Sequence, residues 1–190
     1  RVERLRREWG VPPSVPVVLM PGRITRLKGH DLLLDSLSRL TALSWQAICV
    51  GDTHANPGLF AELEHRCDQL GLSGRVTFPG LCTDMPAALL LADLVVAPSI
   101  KPESFGRTAV EAHAMGKPVI ASAHGGSLET VRHGQTGWLF KPGDAGELTG
   151  ALKEGLDDPV LSTQRGQNGL TWVRARFTTR QMCEATVSVY

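Results

Sequence analysis

A chain of 190 residues, 42% of them hydrophobic, is long enough to bury a full core, and no low-complexity tract or internal repeat divides it, so it reads as one domain. Twenty basic residues against 19 acidic ones give a formal net charge of +1, with no basic stripe of the kind nucleic-acid binding needs, which excludes that class of partner. The longest apolar runs, such as "PAALLLADLVVAP", are broken by Asp93 and by prolines and fall short of the ~20 residues that span a bilayer, so no transmembrane segment is expected.

The opening "RVERLRREW" places Val2, Leu5 and Trp9 on one side of a basic amphipathic helix, expected to pack on the domain or to link it to another. Strand-like runs then alternate with helical ones. The expected strands are 15–20 ("VPVVLM"), 45–50 ("WQAICV"), 75–78 ("RVTF"), 93–98 ("DLVVAP"), 118–122 ("PVIAS") and 138–140 ("WLF"). Between the first two, Leu33, Leu37 and Leu40 recur at helical spacing as a packing stripe. Asn56 followed by Pro57 is a cap with proline at the first helical position, and Asp144 caps the segment "AGELTGALKEGL". Two further helical segments run to Tyr190. Such alternation implies an α/β fold: a doubly wound, mostly parallel six-stranded sheet covered on both faces, with helices at the C-terminus.

Cys49, Cys67, Cys82 and Cys183 are widely spaced, with no C-x-x-C and no histidine at ligand spacing, so reduced thiols are expected and neither a zinc site nor a disulfide framework. His30, His54, His65, His113, His124 and His133 form no ligand cluster, and only His124, beside the Gly125-Gly126 turn, sits where a site is expected. Trp9, Trp45, Trp138 and Trp172 are scattered and read as packing residues. Arg1 is followed by no signal segment, and the chain is expected to be a piece of a longer one.

In an open parallel sheet ligands bind outside the carboxyl ends of the strands, and the chemistry-bearing residues collect there. After the first strand, "MPGRITRLKG" uses Gly22 for a tight exit and carries Arg23 and Lys28 either to a diphosphate or simply to solvent. After the fourth, "PESFGRTAVEA" holds Glu103 and Glu111 eight positions apart. Ser104 is expected to cap a helix starting near Phe105, leaving the N–H groups of Gly106, Arg107 and Thr108 for a phosphate. Helical spacing puts residues 104, 107, 108 and 111 on one face, with Glu111 two turns below Glu103. Two acids separated by a phosphate-sized site suit a sugar nucleotide, one accepting from a ribose diol and the other from the sugar. The competing reading is a dipole-stabilising acid plus an exposed glutamate. After the fifth strand, Gly125-Gly126 is expected to let backbone approach a ligand, ahead of a short helix capped by Ser127 with Glu129 in its first turn.

The segments "GRITRLKG", "VTFPG", "ADLVVAPS", "ESFGRTAVEAHAMGKPVIAS" and "GGSLETVRHGQTGWL", in this order, resemble the C-terminal, nucleotide-sugar-binding half of glycosyltransferase family 4, from Val15 onward. The resemblance implies a Rossmann-like half of a GT-B fold and retaining transfer from a nucleotide-diphosphate sugar. It implies that Arg23 and Lys28 contact the diphosphate, with Thr108 nearby, and that Glu111 binds the ribose diol. Glu103, with Ser104 and the backbone of Phe105 and Gly106, would meet the donor sugar, and backbone near Leu81 the base. Glu103, Arg23 and Lys28 would then carry the catalysis. No metal is expected: no D-x-D sequence is present, and cations and a helix N-terminus can stabilise the leaving diphosphate. No other cofactor is implied. The expected partners are a nucleotide sugar (UDP, GDP or ADP) and an acceptor glycan or lipid-linked glycan, the latter held by an N-terminal acceptor domain absent from residues 1–190. The expected location is the cytoplasm, free or peripheral at the inner face of the membrane. The chain departs from the family pattern at Thr53, in place of a third glycine after "VGD", and at Leu128, in place of a proline before Glu129. An oxidoreductase is disfavoured because Gly22 stands where G-x-G-x-x-G would be needed. The remaining alternative is a non-catalytic nucleotide-sugar module or one subunit of a split enzyme.

Overall fold

The computed structural model describes residues 1–189; Tyr190, where the last expected helix ends, lies outside the described residues. Six parallel strands form one sheet in the order β3-β2-β1-β4-β5-β6: β1 (Val17–Pro21), β2 (Gln46–Val50), β3 (Val76–Gly80), β4 (Leu94–Ala97), β5 (Val119–Ser122) and β6 (Gly137–Phe140). All six expected strands are present, with ends moved by a residue or two. β3 continues through Pro79 and Gly80, because Val50 pairs with Gly80 and the carbonyl of Gly80 accepts from Gly51 N. Proline is tolerated there because β3 is an edge strand, where one side of the backbone needs no partner.

Alternation along the strands divides the core between two faces. Val18 and Met20 of β1, with Ala47 and Cys49 of β2, join Leu33, Leu34 and Leu37 of α2 (His30–Ser38), Leu59 and Leu63 of α3 (Pro57–Gln69), and Leu148 and Leu152 of α7 (Ala145–Asp157). Val17 and Leu19, with Ile48 and Val50, face the other way. They meet Leu5 of α1 (Val2–Glu8), Ala87, Ala88 and Leu91 of α4 (Met85–Leu91), and Ala109 and Ala112 of α5 (Arg107–Ala114). The opening helix is therefore a packing helix: Leu5 and Trp9 are buried against the α4 side. The expected caps at Asn56 and Asp144 are formed, the first accepting from Leu59 N at 3.3 Å and the second from Gly146 N at 2.9 Å. After α6 (Ser127–Thr130) and α7, the chain ends in α8 (Pro159–Arg176) and α9 (Thr179–Val187). The four cysteines are unpaired thiols. Trp9, Trp45 and Trp138 are buried, and the Trp172 ring is in contact with the guanidinium groups of Arg132 and Arg176.

Strand order reverses between β1 and β4, so the loops leaving these neighbours diverge and open a crevice at the carboxyl edge of the sheet. Among the described residues no helix is long and apolar enough to cross a membrane.

Candidate functional site

The crevice is a cleft of about 540 Å³ lined by Gly22, Arg23 and Lys28 from the loop after β1 and by Glu103 to Thr108 and Glu111 from the loop after β4 and the first turns of α5. Nine of the ten residues expected at the site meet here, joined by Arg107. Leu81 does not. It is 74% exposed just beyond the end of β3 and lines a separate groove with Pro79, Cys82 and residues of α1.

The two glutamates are each paired with a cation. Glu103 Oε1 accepts from Lys28 Nζ at 2.6 Å and from the Ser99 hydroxyl. Burial pushes the Glu103 carboxyl up. The hydrogen bonds from Lys28 and Ser99, with the charges of Lys28 and His124, outweigh it and hold the group below its ordinary value. Glu111 accepts from Arg107 at 3.0 Å across one helical turn, on an open surface where Arg107 is 82% exposed. Arg23 is exposed, and among the described residues no acid pairs with it.

Two expected caps are corrected. Ser104 does not cap α5: the helix begins at Arg107, and Gly106, at φ +77°, is its N-cap without a side-chain hydrogen bond. The left-handed backbone required there favours glycine. The available first-turn N–H groups are therefore those of Arg107 and Thr108. Ser127 is likewise the first residue of α6, which Gly126 precedes, although Glu129 is in the first turn as expected.

The cause is the same in both cases. The Gly125-Gly126 turn packs on the loop after β4. A Cβ on Gly126 would lie 2.3 Å from the Phe105 carbonyl carbon, and one on Gly125 would lie 2.5 Å from the Glu103 oxygen. Gly126 N donates to the Glu103 carbonyl at 2.7 Å. The sequence leads one to expect that these glycines admit a ligand; in the structure both also admit the backbone that carries Glu103.

Sequence reasoning passes over Ser99, the side chain of Arg107 and Gly126 as structural members of the site. Ser99 is buried at the end of β4 and shows no local motif; its role exists only because residue 103 folds back onto it. The i, i+4 spacing of Arg107 and Glu111 is a readable signal. Of the histidines, His30 and His113 are buried, His133 Nδ1 accepts from Leu139 N at 3.0 Å, and His124 Nε2 meets the Ser99 carbonyl at 2.8 Å. Among the described residues no group of three His, Cys, Asp or Glu side chains is placed to hold a metal ion.

A family model described as glycosyl transferases group 1 matches residues 1–172. The chain is 37% identical over 174 residues to a D-inositol 3-phosphate glycosyltransferase of Mycobacterium tuberculosis, covering 90% of this chain and 34% of that protein. Among solved structures, a glycosyltransferase from Rickettsia africae superposes with a TM-score of 0.96 at 29% identity, over 100% of this chain and 50% of that one. Anabaena Alr3699/HepE, solved with UDP and with UDP-glucose, superposes at 0.89 with 33% identity, over 98% of this chain and 52% of that one. The chain thus spans between a third and about half of the length of these relatives. By the family match and the fold together, it belongs to the glycosyl transferases group 1, with the architecture of the C-terminal domain of a GT-B glycosyltransferase.

Proposed function

We propose that this chain is the donor-binding half of a retaining glycosyltransferase and that its cleft takes a nucleotide-diphosphate sugar, with UDP as the first nucleotide to test. The observation that carries the reading is the convergence of Arg23, Lys28, Glu103, the start of α5 and Glu111 on one cleft at the point where strand order reverses. The choice of UDP draws on the Anabaena relative, which was solved with UDP and with UDP-glucose.

In this reading the diphosphate lies between the loop after β1 and the start of α5. Arg23 and Lys28 approach it from one side and the N–H groups of Arg107 and Thr108 from the other, with the positive end of the helix dipole behind them. As the bond to the anomeric carbon breaks, negative charge grows on the departing diphosphate. Groups already fixed around that position stabilise it without reorganisation. The charge is then met by side chains and backbone of this chain, and we propose that the reaction requires no metal. Glu111 accepts from the ribose diol and Glu103 from the sugar, which together set the ligand's direction in the cleft. Backbone near Leu81 remains the proposed base contact, across the rim of the β3 end.

Retention requires an acceptor hydroxyl to reach the anomeric carbon on the face that the diphosphate leaves, held there away from water. We assign that task to an acceptor domain outside residues 1–190, acting on a glycan or lipid-linked glycan, at a cytoplasmic location. The test is a thermal-shift and calorimetric panel of UDP-, GDP- and ADP-sugars with and without EDTA. One nucleotide class should raise apparent stability, by about 2.7 kcal/mol at a hundredfold excess over Kd. The shift should survive EDTA. No shift with any nucleotide sugar refutes the reading.

A further inference from the structure

The support of Glu103 runs through a single peptide unit, that between Ser99 and Ile100, and its bearing on ligand affinity rests on the donor-binding reading of the cleft. The carbonyl of Ser99 lies 2.8 Å from His124 Nε2. A carbonyl only accepts, so this ring nitrogen carries the proton and donates it. On the other side of the same peptide, Ile100 N donates to the Leu27 carbonyl at 2.8 Å, one residue before Lys28. The Ser99 hydroxyl in turn donates to Glu103 Oε1, the oxygen that also accepts from Lys28.

One peptide plane is therefore held through its N–H by the loop after β1 and through its C=O by the turn after β5, while the side chain at its start holds the acid. Both bonds to Glu103 fall on Oε1, which leaves Oε2 as the oxygen for a ligand hydroxyl. Ser99 is 6% exposed, so water does not readily replace a partner lost from its carbonyl. The loop has a second, independent tether in the bond from Gly126 N to the Glu103 carbonyl. Removing the histidine thus loosens the peptide without detaching the loop.

We propose that His124 is a positioning residue. By fixing the Ser99–Ile100 peptide it sets where Glu103 presents its carboxylate, and so how tightly the cleft holds the sugar end of a nucleotide sugar, as distinct from the nucleotide end. His124→Val removes the donor and keeps an apolar side chain beside the turn. His124→Gln supplies an amide N–H that can reach the same carbonyl.

The experiment compares the parent chain and both variants in two readouts. The first is amide hydrogen exchange at Ile100 in the ligand-free protein, which needs no substrate. The second is calorimetric affinity for UDP and for UDP-glucose. His124→Val should speed Ile100 exchange and weaken UDP-glucose binding about threefold to tenfold, the value of one hydrogen bond, while UDP binding stays within about twofold. His124→Gln should restore both readouts toward the parent. Unchanged Ile100 exchange in His124→Val overturns the clamp, whatever the chain binds. Faster exchange with UDP and UDP-glucose weakened equally, or with neither weakened, overturns the positioning role. A parent chain that binds no nucleotide sugar overturns the donor-binding reading itself, a failure seen before any variant is made.

Discussion

Glu103→Gln keeps the side chain's size and an acceptor oxygen but removes the charge that Lys28 faces at 2.6 Å. At that separation Coulomb's law gives a gross attraction of about 1.6 kcal/mol at the dielectric of water and about 6 kcal/mol at an effective value of 20. The two side chains are 22% and 27% exposed, so they sit between these limits, and desolvation cancels most of the gain. A net loss of about 1 kcal/mol is expected, or roughly 2–4 °C in Tm for a chain of this size. Glu103 is held below its ordinary value of 4.5, so its contribution is complete above that pH and is lost as pH falls through the lower folded value. Glu103→Gln should remove that acid-limb dependence. Binding should divide by ligand. With its internal partner neutralised, Lys28 is released toward phosphate, and UDP should bind about twofold to fivefold tighter, equivalent to ~0.5–1 kcal/mol. UDP-glucose should lose its advantage over UDP by about 1.5–3 kcal/mol, the size of a charge-assisted hydrogen bond. Calorimetry of both ligands on both proteins at one salt concentration decides it. Equal weakening of UDP and UDP-glucose, or weakening of UDP alone, refutes the assignment of Glu103 to the sugar.

Glu111→Gln should erase most of the preference for ribose over 2′-deoxyribose nucleotides, whereas Arg107→Ala, which removes only an exposed i, i+4 partner, should change affinity by less than about threefold; full ribose preference in Glu111→Gln returns that acid to the role of a surface residue. Gly126→Ala places a methyl within 2.3–2.6 Å of Phe105 backbone atoms and should cost about 1–3 kcal/mol in thermal unfolding, with UDP and UDP-glucose weakened together; an unchanged Tm contradicts the close approach. Burial lowers both His30 and His113 to about 4 from 6.5, so both are neutral when folded and the unfolded chain binds more protons between those values. Stability should therefore fall as pH drops from about 6.5 toward 4, by up to about 2.7 kcal/mol per pH unit in mid-window, and His113→Gln should halve that slope in urea unfolding across this range.

The parts of this molecule legible in the sequence were those set by local periodicity. Val17 to Met20 and Ala47 to Val50 are apolar without a polar alternation, as strands buried on both faces must be, and they lie side by side in the interior of the sheet. Asn56 and Asp144 cap because each is followed by a helix that no distant contact displaces. Ser104 and Ser127 fail as caps for the opposite reason. Each begins with good local chemistry, but the backbone at residues 103–105 and 125–126 is pressed together across more than twenty residues of sequence, and that contact decides where α5 and α6 start. Cap preferences are worth about 1 kcal/mol, less than the cost of a clash between two backbones. Leu81 lies at the carboxyl edge of the sheet, as expected, and the strand order alone tells how far along that edge it sits, with β1 and β2 between the β3 end and the crevice.

The spacing of Glu103 and Glu111 placed two acids on either side of a site, and the structure adds what spacing does not contain, that each acid already has a cation. The cleft presents Arg23, Lys28 and Arg107 against two carboxylates, and Arg23 alone stands without an acid among the described residues. In the proposed reading a bare diphosphate must draw Lys28 away from Glu103, leaving a half-buried carboxylate with only the Ser99 hydroxyl. A bare sugar can bond the free Oε2 of that carboxylate without displacing Lys28, but it gains no phosphate contact. A nucleotide sugar does both together: its phosphates take the cations while its hydroxyls satisfy the acids, so that no charged group is stranded by the exchange. On that proposed reading the Lys28–Glu103 ion pair penalises a bare diphosphate more than the whole donor, and discrimination against it comes from the unpaired charge it leaves behind rather than from tighter contact with the complete ligand.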